Sequence, residues 1–289
     1  MNVIEELKLP PLPEALPRPV VDNHTHFPST HRFSGLTARD SLELASSVGV
    51  TRAIDVGVDL ESSRAAILLA QADPRVVASV ALHPNHAAHV FEQEGQEALD
   101  AQLSQLPALA RFSEVRSIGE TGLDHFRTRS EDGRLAQVHA FLAHIELARE
   151  LNLTLMIHDR DAHQEILDVL DSTRAPERVV MHCFSGDADF ARECVARGYW
   201  ISLPGVVTFG SAGSLRLAAA EVPAEKLLVE TDAPYLTPKP ERGKANAPYL
   251  LPHTVRFLSE LLETDLAAFC DQIVSNTFDA YGGPWGEDA

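Results

Sequence analysis

The stretch Val20-Val21-Asp22-Asn23-His24-Thr25-His26 places two histidines at i and i+2 directly after an apolar, β-branched run. Side chains two apart in a strand project from one face, so two imidazoles at the exit of a buried strand can grip a divalent metal with little rearrangement. Taken alone, an ordinary pair of polar loop histidines is the simpler account. Four further apolar runs change that: Val115-Arg116-Ser117-Ile118-Gly119-Glu120, Leu153 to His158, Arg178 to His182, and Leu227 to Asp232 all end in a residue of metal-ligand type. In a (β/α)8 barrel the C-terminal ends of all strands converge on one face, where the active site lies. Five separated strand ends then become one cluster.

Within that cluster His24 and His26 would hold one cation, and His158 and His182 a second. Glu120, flanked by Gly119 and Gly122, can bridge the two through its carboxylate oxygens. Asp232 would complete the shell of the first cation and accept a proton from water, whose pKa a bound cation lowers towards ~7. The alternative for Asp232 is a turn cap before Pro234. His83, in Ala81-Leu82-His83-Pro84, lacks a partner in sequence and is read as a substrate contact or a support to the ligands. Asp124, Arg127, Arg160 and Ser185 follow strand ends and can orient ligands or phosphate oxygens, or simply be solvated. The loop from Lys239 to Pro248 carries Arg242, Lys244 and Asn246, suited to an anionic substrate. Cys183 follows His182, and because neighbouring strand residues face opposite ways it is read as core.

The elements needed to position these residues are legible as strand candidates at 20–26, 52–59, 76–83, 115–122, 153–159, 178–184, 199–206 and 226–232. Most are consecutively aliphatic, as in parallel strands covered on both faces. Helical spacing appears at 37–48, 61–71, 92–110, 131–151, 162–173, 187–197, 211–221, 247–263 and 265–279. In 131–151 the expected apolar stripe is Leu135, Val138, Leu142, Ile145, Leu147 and Ala148. Strand then helix, eight times over, predicts a parallel α/β barrel of TIM type. An open doubly wound sheet would carry a Gly-rich phosphate loop where His24 and His26 stand.

The 289 residues suit a single barrel domain of roughly 250 residues, here 20–280, with a Pro-rich extension at 1–19 and a short tail at 281–289. The extension is expected either as a polyproline-like strap across the barrel bottom or as a free segment. It has no basic start and no long apolar region, so it does not read as a signal peptide. No run approaches the ~20 apolar residues of a membrane span. Three scattered cysteines argue against a disulfide framework and for a cytoplasmic location. A formal charge of −18 argues against broad affinity for nucleic acid but leaves room for a small phosphate-reading site.

The His-x-His start, Gly-Glu-Thr-Gly-Leu-Asp at 119–124, His158 before Arg160-Asp161-Ala162, His182-Cys183-Phe184-Ser185-Gly186, Glu-Thr-Asp-Ala-Pro-Tyr-Leu at 230–236 and Arg-Gly-Lys-x-Asn at 242–246 together resemble the TatD family of metal-dependent deoxyribonucleases, within the amidohydrolase superfamily. The resemblance runs in order from about Val20 to Phe278. It implies a (β/α)8 barrel with two divalent metal ions and hydrolysis of DNA phosphodiesters, often from the 3′ end of single strands. It also implies ligand roles for His24, His26, Glu120, His158, His182 and Asp232. Departures are Thr25 between the first histidines, Asn23 before them, and a thinned aromatic cluster at His125-Phe126-Arg127, which bear on substrate preference because bases stack on aromatics. Four imidazoles favour Zn²⁺, Mn²⁺ or iron over Mg²⁺ by softness, whereas the resemblance points to Mg²⁺. Rival expectations are a two-metal hydrolase of a non-nucleic-acid ester, amide or lactone, and a binding protein that keeps its metals for stability. No obligate protein partner is expected.

Overall fold

A computed structural model describes residues 3–286. Eight strands form one parallel sheet in the order of the chain: β1 Val20–Thr25, β2 Val50–Val56, β3 Val76–Val80, β4 Val115–Asp124, β5 Thr154–Arg160, β6 Val179–Met181, β7 Trp200–Leu203 and β8 Leu227–Val229. Between β8 and β1 closure falls to the residues just beyond the short β8. Asp232 N–H donates to His24 O (2.9 Å), His26 N–H to Ala233 O (2.9 Å), and Asn23 Nδ2 to Val229 O (3.0 Å). Buried Asp22 adds a brace, accepting from Thr231 N–H (2.9 Å) and Thr231 Oγ (2.6 Å). The result is a (β/α)8 barrel. Every residue of β1, β3, β6, β7 and β8 is buried, as coverage on both faces requires.

Helices fill the outer ring, and the longest, Glu131–Leu151, starts where Ser130 Oγ accepts from Gly133 N–H and ends at left-handed Asn152. Its core face differs from the expected stripe. Ala136, Ala140, Phe141, His144, Ile145 and Ala148 are buried, whereas Leu135 is 61% and Leu142 42% exposed. Ile145, Leu147 and Ala148 face inward as expected, but in the first half of the helix Gly133, Ala136, Gln137 and Ala140 take the inward places, so counting large apolar side chains misplaces the face there. The single helix expected at 92–110 is three, Pro84–Glu94, Gln96–Leu103 and Leu106–Leu109, the first two separated by Gly95 at φ 87°. Phe27–Ser34 is helical as well, with Pro28 in its first turn, where a missing N–H costs nothing.

The barrel interior is layered. Its lower part is an apolar cluster of Val21, Ile54, Val77, Met156, Val180, Trp200 and Leu228, capped from below by Tyr281 and Trp285. Residues 281–286 therefore act as a plug: Thr154 Oγ donates to Ala280 O (2.6 Å) and Arg52 Nε to Trp285 O (2.7 Å), while 287–289 lie outside the described residues. At the other end of the chain, Leu16 N–H donates to Val48 O (3.0 Å) at the foot of β2. Tyr249 Oη donates to Pro10 O (2.7 Å), Arg256 to Ala15 O (2.8 Å), and Leu7 packs beside Gly35. The strap thus climbs the side of the barrel instead of crossing its bottom; residues 1–2 lie outside the described residues. Among the described residues no helix is long and apolar enough to cross a membrane.

Candidate metal centre

Strand ends bring His24, His26, Glu120, His158, His182 and Asp232 together at the C-terminal mouth. Glu120 is central. Its Oε1 lies 3.7 Å from His24 Nε2 and 3.5 Å from His26 Nε2, and its Oε2 3.1 Å from His158 Nδ1 and 3.3 Å from His182 Nε2. Asp232 Oδ1 lies 3.5 Å from His26 Nε2 and 3.8 Å from His24 Nε2. Asp232 sits at φ 54°, in the left-handed region that Asp tolerates better than most residues. The glycines beside Glu120 answer to packing between strands: a Cβ at Gly119 would come within 2.5 Å of Met156 Cβ, and one at Gly122, φ +131°, within 2.2 Å of His158 O.

On each imidazole the nitrogen remote from Glu120 faces a neighbouring acceptor. His26 Nδ1 lies 2.8 Å from Val56 O, a group that only accepts, so its proton is on Nδ1. His182 Nδ1 is 2.9 Å from Glu230 Oε1 and His158 Nε2 is 3.3 Å from Asp124 Oδ2. His24 Nδ1 faces Met156 Sδ at 3.1 Å. With the proton on the remote nitrogen, the form a bound cation requires, each ring turns a lone pair towards Glu120; without a cation, His26, His158 and His182 hold a second proton there. His24 Nε2 and His26 Nε2 then face each other lone pair to lone pair at 3.1 Å. Such a convergence of bare nitrogens and carboxylate oxygens has no use for a hydrogen bond and fits a cation.

His83 is the exception. Its Nε2 lies 3.6 Å from Glu120 Oε2, close enough to group it with Glu120 and His158 as a possible metal triad. Yet its Nδ1 accepts from Asn85 N–H (3.0 Å), so the proton is on Nε2 and His83 offers a donor to the site. His182, Cys183 and Glu230 form a further grouping, in which His182 Nδ1 lies 2.9 Å from Glu230 Oε1.

Electrostatics agree with a site built to hold positive charge. Burial depresses His26, but Asp232 and Glu120 outweigh it and raise the group to about 9. His158 likewise reaches about 9, burial being overcome by Asp124 and Glu120. Glu120 is held well below the ordinary carboxylate range: burial opposes ionisation, but His83, His158, His182 and His24 outweigh it. Asp232 is lowered too, against its burial, chiefly by His26. These positions take up protons or a metal in competition, and binding a metal releases the protons.

Of the supporting residues, sequence reasoning named Asp124 among those that can orient ligands but missed Glu230. Glu230 accepts from Ser202 Oγ (2.6 Å) and Cys183 N–H (2.9 Å) while it orients His182. Asp124 accepts from Asn85 Nδ2 (2.8 Å) and Arg127 N–H (2.8 Å). A carboxylate two residues before Asp232 was the available signal for Glu230. Cys183, expected in the core, is only half-buried, at φ 45°, because β6 ends at Met181 and strand alternation no longer applies.

The residues expected at the substrate are spread more widely. Asn246 is fully buried and donates to Thr231 O (2.9 Å) and Tyr235 O (2.5 Å); with both amide protons committed it positions the loop carrying Asp232 and does not face a substrate. Lys244 pairs with Glu241. Arg242 lies over the Phe209 ring at 4.4 Å, and Arg160 over Phe126 at 3.9 Å. Phe126 is 47% exposed and Tyr235, whose ring is 6.3 Å from that of His26, is 53% exposed. The mouth therefore has two aromatic faces.

Residues 21–282 match the family model described as TatD related DNase. The chain is 44% identical over 271 residues to an uncharacterized metal-dependent hydrolase TatD of Mycobacterium tuberculosis, covering 92% of this chain and 99% of that protein. It is 35% identical over 250 residues to the 3′-5′ ssDNA/RNA exonuclease TatD of Escherichia fergusonii, covering 83% and 92%. Among solved structures it resembles YJJV, a TatD homolog from Escherichia coli, with a TM-score of 0.81 at 27% identity, covering 92% of this chain and 98% of that one. With its motifs in register along a (β/α)8 barrel, the chain belongs to the TatD family of metal-dependent hydrolases in the amidohydrolase superfamily.

Proposed function

We propose that this hydrolase cleaves DNA phosphodiester bonds, removing nucleotides from the 3′ end of single strands, with two divalent cations. The observation that carries the reading is the convergence of one ring nitrogen from each of His24, His26, His158 and His182 on the carboxylates of Glu120 and Asp232, while His83, whose Nδ1 accepts from Asn85 N–H, presents an N–H. His24, His26, Glu120 and Asp232 would hold one cation, and Glu120, His158 and His182 the other. When bound, such cations polarise a phosphoryl oxygen and make water acidic enough to attack at neutral pH. Asp232, partly open to solvent and held ionised by His26, takes the proton of the attacking water. His83 Nε2–H is placed to donate to a phosphate oxygen. Arg160 can add charge beside Phe126, and Phe126 and Tyr235 offer stacking faces for bases. The name of the exonuclease relative supports a nucleic-acid substrate. A cytoplasmic place of action is part of this proposal, resting on three free cysteines.

A second reading, a non-nucleic-acid ester, amide or lactone substrate, draws support from the −18 charge and from Lys244 being spent on Glu241. The test is hydrolysis of a 5′-labelled single-stranded oligonucleotide by metal-stripped protein, restored with Mg²⁺, Mn²⁺ or Zn²⁺ in turn. A metal-dependent ladder shortening from the 3′ end is expected. Silence with every metal, from folded protein that retains its ions, would transfer the proposal to the second reading.

A further inference from the structure

The opposite, N-terminal face of the barrel carries a cavity of about 480 Å³ beneath β4, β5 and β6, whose charged lining is Arg111, Arg116 and Arg178. Among the described residues no carboxylate lines it, in a chain with 42 acidic and 24 basic residues. The neighbouring cavity on the same face shows the contrast: there Arg75 is neutralised by Asp73 (2.7 Å) and Glu43 (3.0 Å). Arg111 and Arg116 make no ion pair and no side-chain hydrogen bond among the described residues, and the Nε groups of Arg116 and Arg178 are buried without an acceptor. Arg178 is fixed by donating to Asn152 O and Oδ1, so its guanidinium is already positioned. Glu114 and Glu177, the acids beside Arg116 and Arg178 in sequence, are not part of the lining, and Glu114 accepts from Ser113 Oγ (3.1 Å). At the rim Phe112 is 44% exposed.

We infer that this cavity is a second binding site, separate from the metal centre, for a small ligand carrying two or more phosphoryl groups. Guanidinium groups match phosphate oxygens in charge and geometry, and the volume falls in the range that holds a nucleotide-sized molecule. Phe112 gives such a ligand a face for a base, so the source is either a nucleotide or an inorganic polyphosphate, with the phosphoryl chemistry common to both.

The test is isothermal titration of the full-length protein as purified with ATP, inorganic triphosphate and adenosine, beside Arg111→Ala/Arg116→Ala. That variant is expected to keep the hydrolytic activity and the melting temperature of the parent. One saturable site for triphosphate or ATP, weakened at least tenfold in the variant, is expected. Tighter binding of ATP than of triphosphate would assign the nucleotide as the source, and equal binding the polyphosphate. Identical isotherms for parent and variant, as binding confined to the metal centre would give, overturn the inference. So does an absence of saturation, or equal binding of adenosine by both proteins. Should the double variant fail to fold, Arg111→Ala, which changes one exposed side chain, gives the same comparison.

Discussion

The two ends of this barrel are built on opposite terms. At the bottom, Met156, Val180, Trp200 and Leu228 pack above Tyr281 and Trp285, each 8% exposed or less. At the top the same strands end in four imidazoles, Glu120 and Asp232, with His24 Nε2 and His26 Nε2 3.1 Å apart. Burying apolar side chains is favourable in itself, whereas gathering carboxylates and imidazoles out of water is costly unless protons or cations compensate. The bottom therefore supports the fold and the top depends on it. Met156 joins the two regions, since its side chain belongs to the apolar cluster and its sulfur touches His24 Nδ1.

This division can be broken most severely at Glu120. Glu120→Gln should lower hydrolysis by about 10³-fold or more, comparable to the loss of a preorganised charge-stabilising group, and should reduce bound metal as read by elemental analysis, with little loss of stability. Retained metal and activity would mean that the bridge lies elsewhere. At the other end, Trp285→Ala should cost about 3–5 kcal/mol by denaturant unfolding while the folded fraction keeps its turnover; a specific loss of turnover would show that the two ends are not separable.

His144 tests the boundary between them. It is fully buried, takes Leu82 N–H on Nε2 (3.1 Å) and faces Thr121 Oγ from Nδ1 (2.8 Å), and burial lowers its pKa to about 4. The unfolded chain, with an ordinary histidine near 6.5, binds the proton first as pH falls. Stability from this group is therefore complete above pH 6.5 and lost progressively down to about 4, by an amount of order 3 kcal/mol. Asp22, raised by burial to about 7, and Asp55, raised to about 6, contribute in the opposite sense. The clean measurement is thus the difference between parent and His144→Gln, which should shrink as pH falls from 6.5 to 4. A pH-independent difference would refute a buried neutral imidazole.

The smallest effect concerns the support to His182. Glu230→Gln, which keeps the shape but weakens the hold on the His182 tautomer, should lower metal affinity about 10–100-fold and leave apolar packing intact. Unchanged affinity would mean that His182 needs no fixing.

The order of strands and the six residues at their ends could be read from the chain because each rests on local regularity: an aliphatic run, a side-chain period of two, and a ligand-type residue where the run stops. Helix 131–151 was legible for the same reason in its length and its Ser130 cap, but not in its inward face, since Leu135 and Leu142 look outward while Ala140 and His144 meet β4. Asp124 was read as able to orient ligands, but not its pairing with His158, and Glu230 was hidden altogether, because its partners Ser202, Cys183 and His182 lie far off in the chain and sequence spacing gives no sign of those pairs. Asn246 looked like a substrate residue by its motif; only its bonds to Thr231 and Tyr235 show that it shapes the Asp232 loop.

By itself the sequence determined the barrel type, the family and the identity of the residues that converge, since all of these follow from periodicity and from ordered motifs. The tertiary structure alone decided which nitrogen of each site histidine faces Glu120 and which faces its supporting partner. It decided as well that 281–286 plug the barrel, that the Pro-rich segment climbs its side, and that three arginines share an acid-free cavity below. The physical reason is that tautomers, plugs and cavities are set by contacts between distant parts of the chain, and only closure of the barrel brings those parts within a few ångströms of one another.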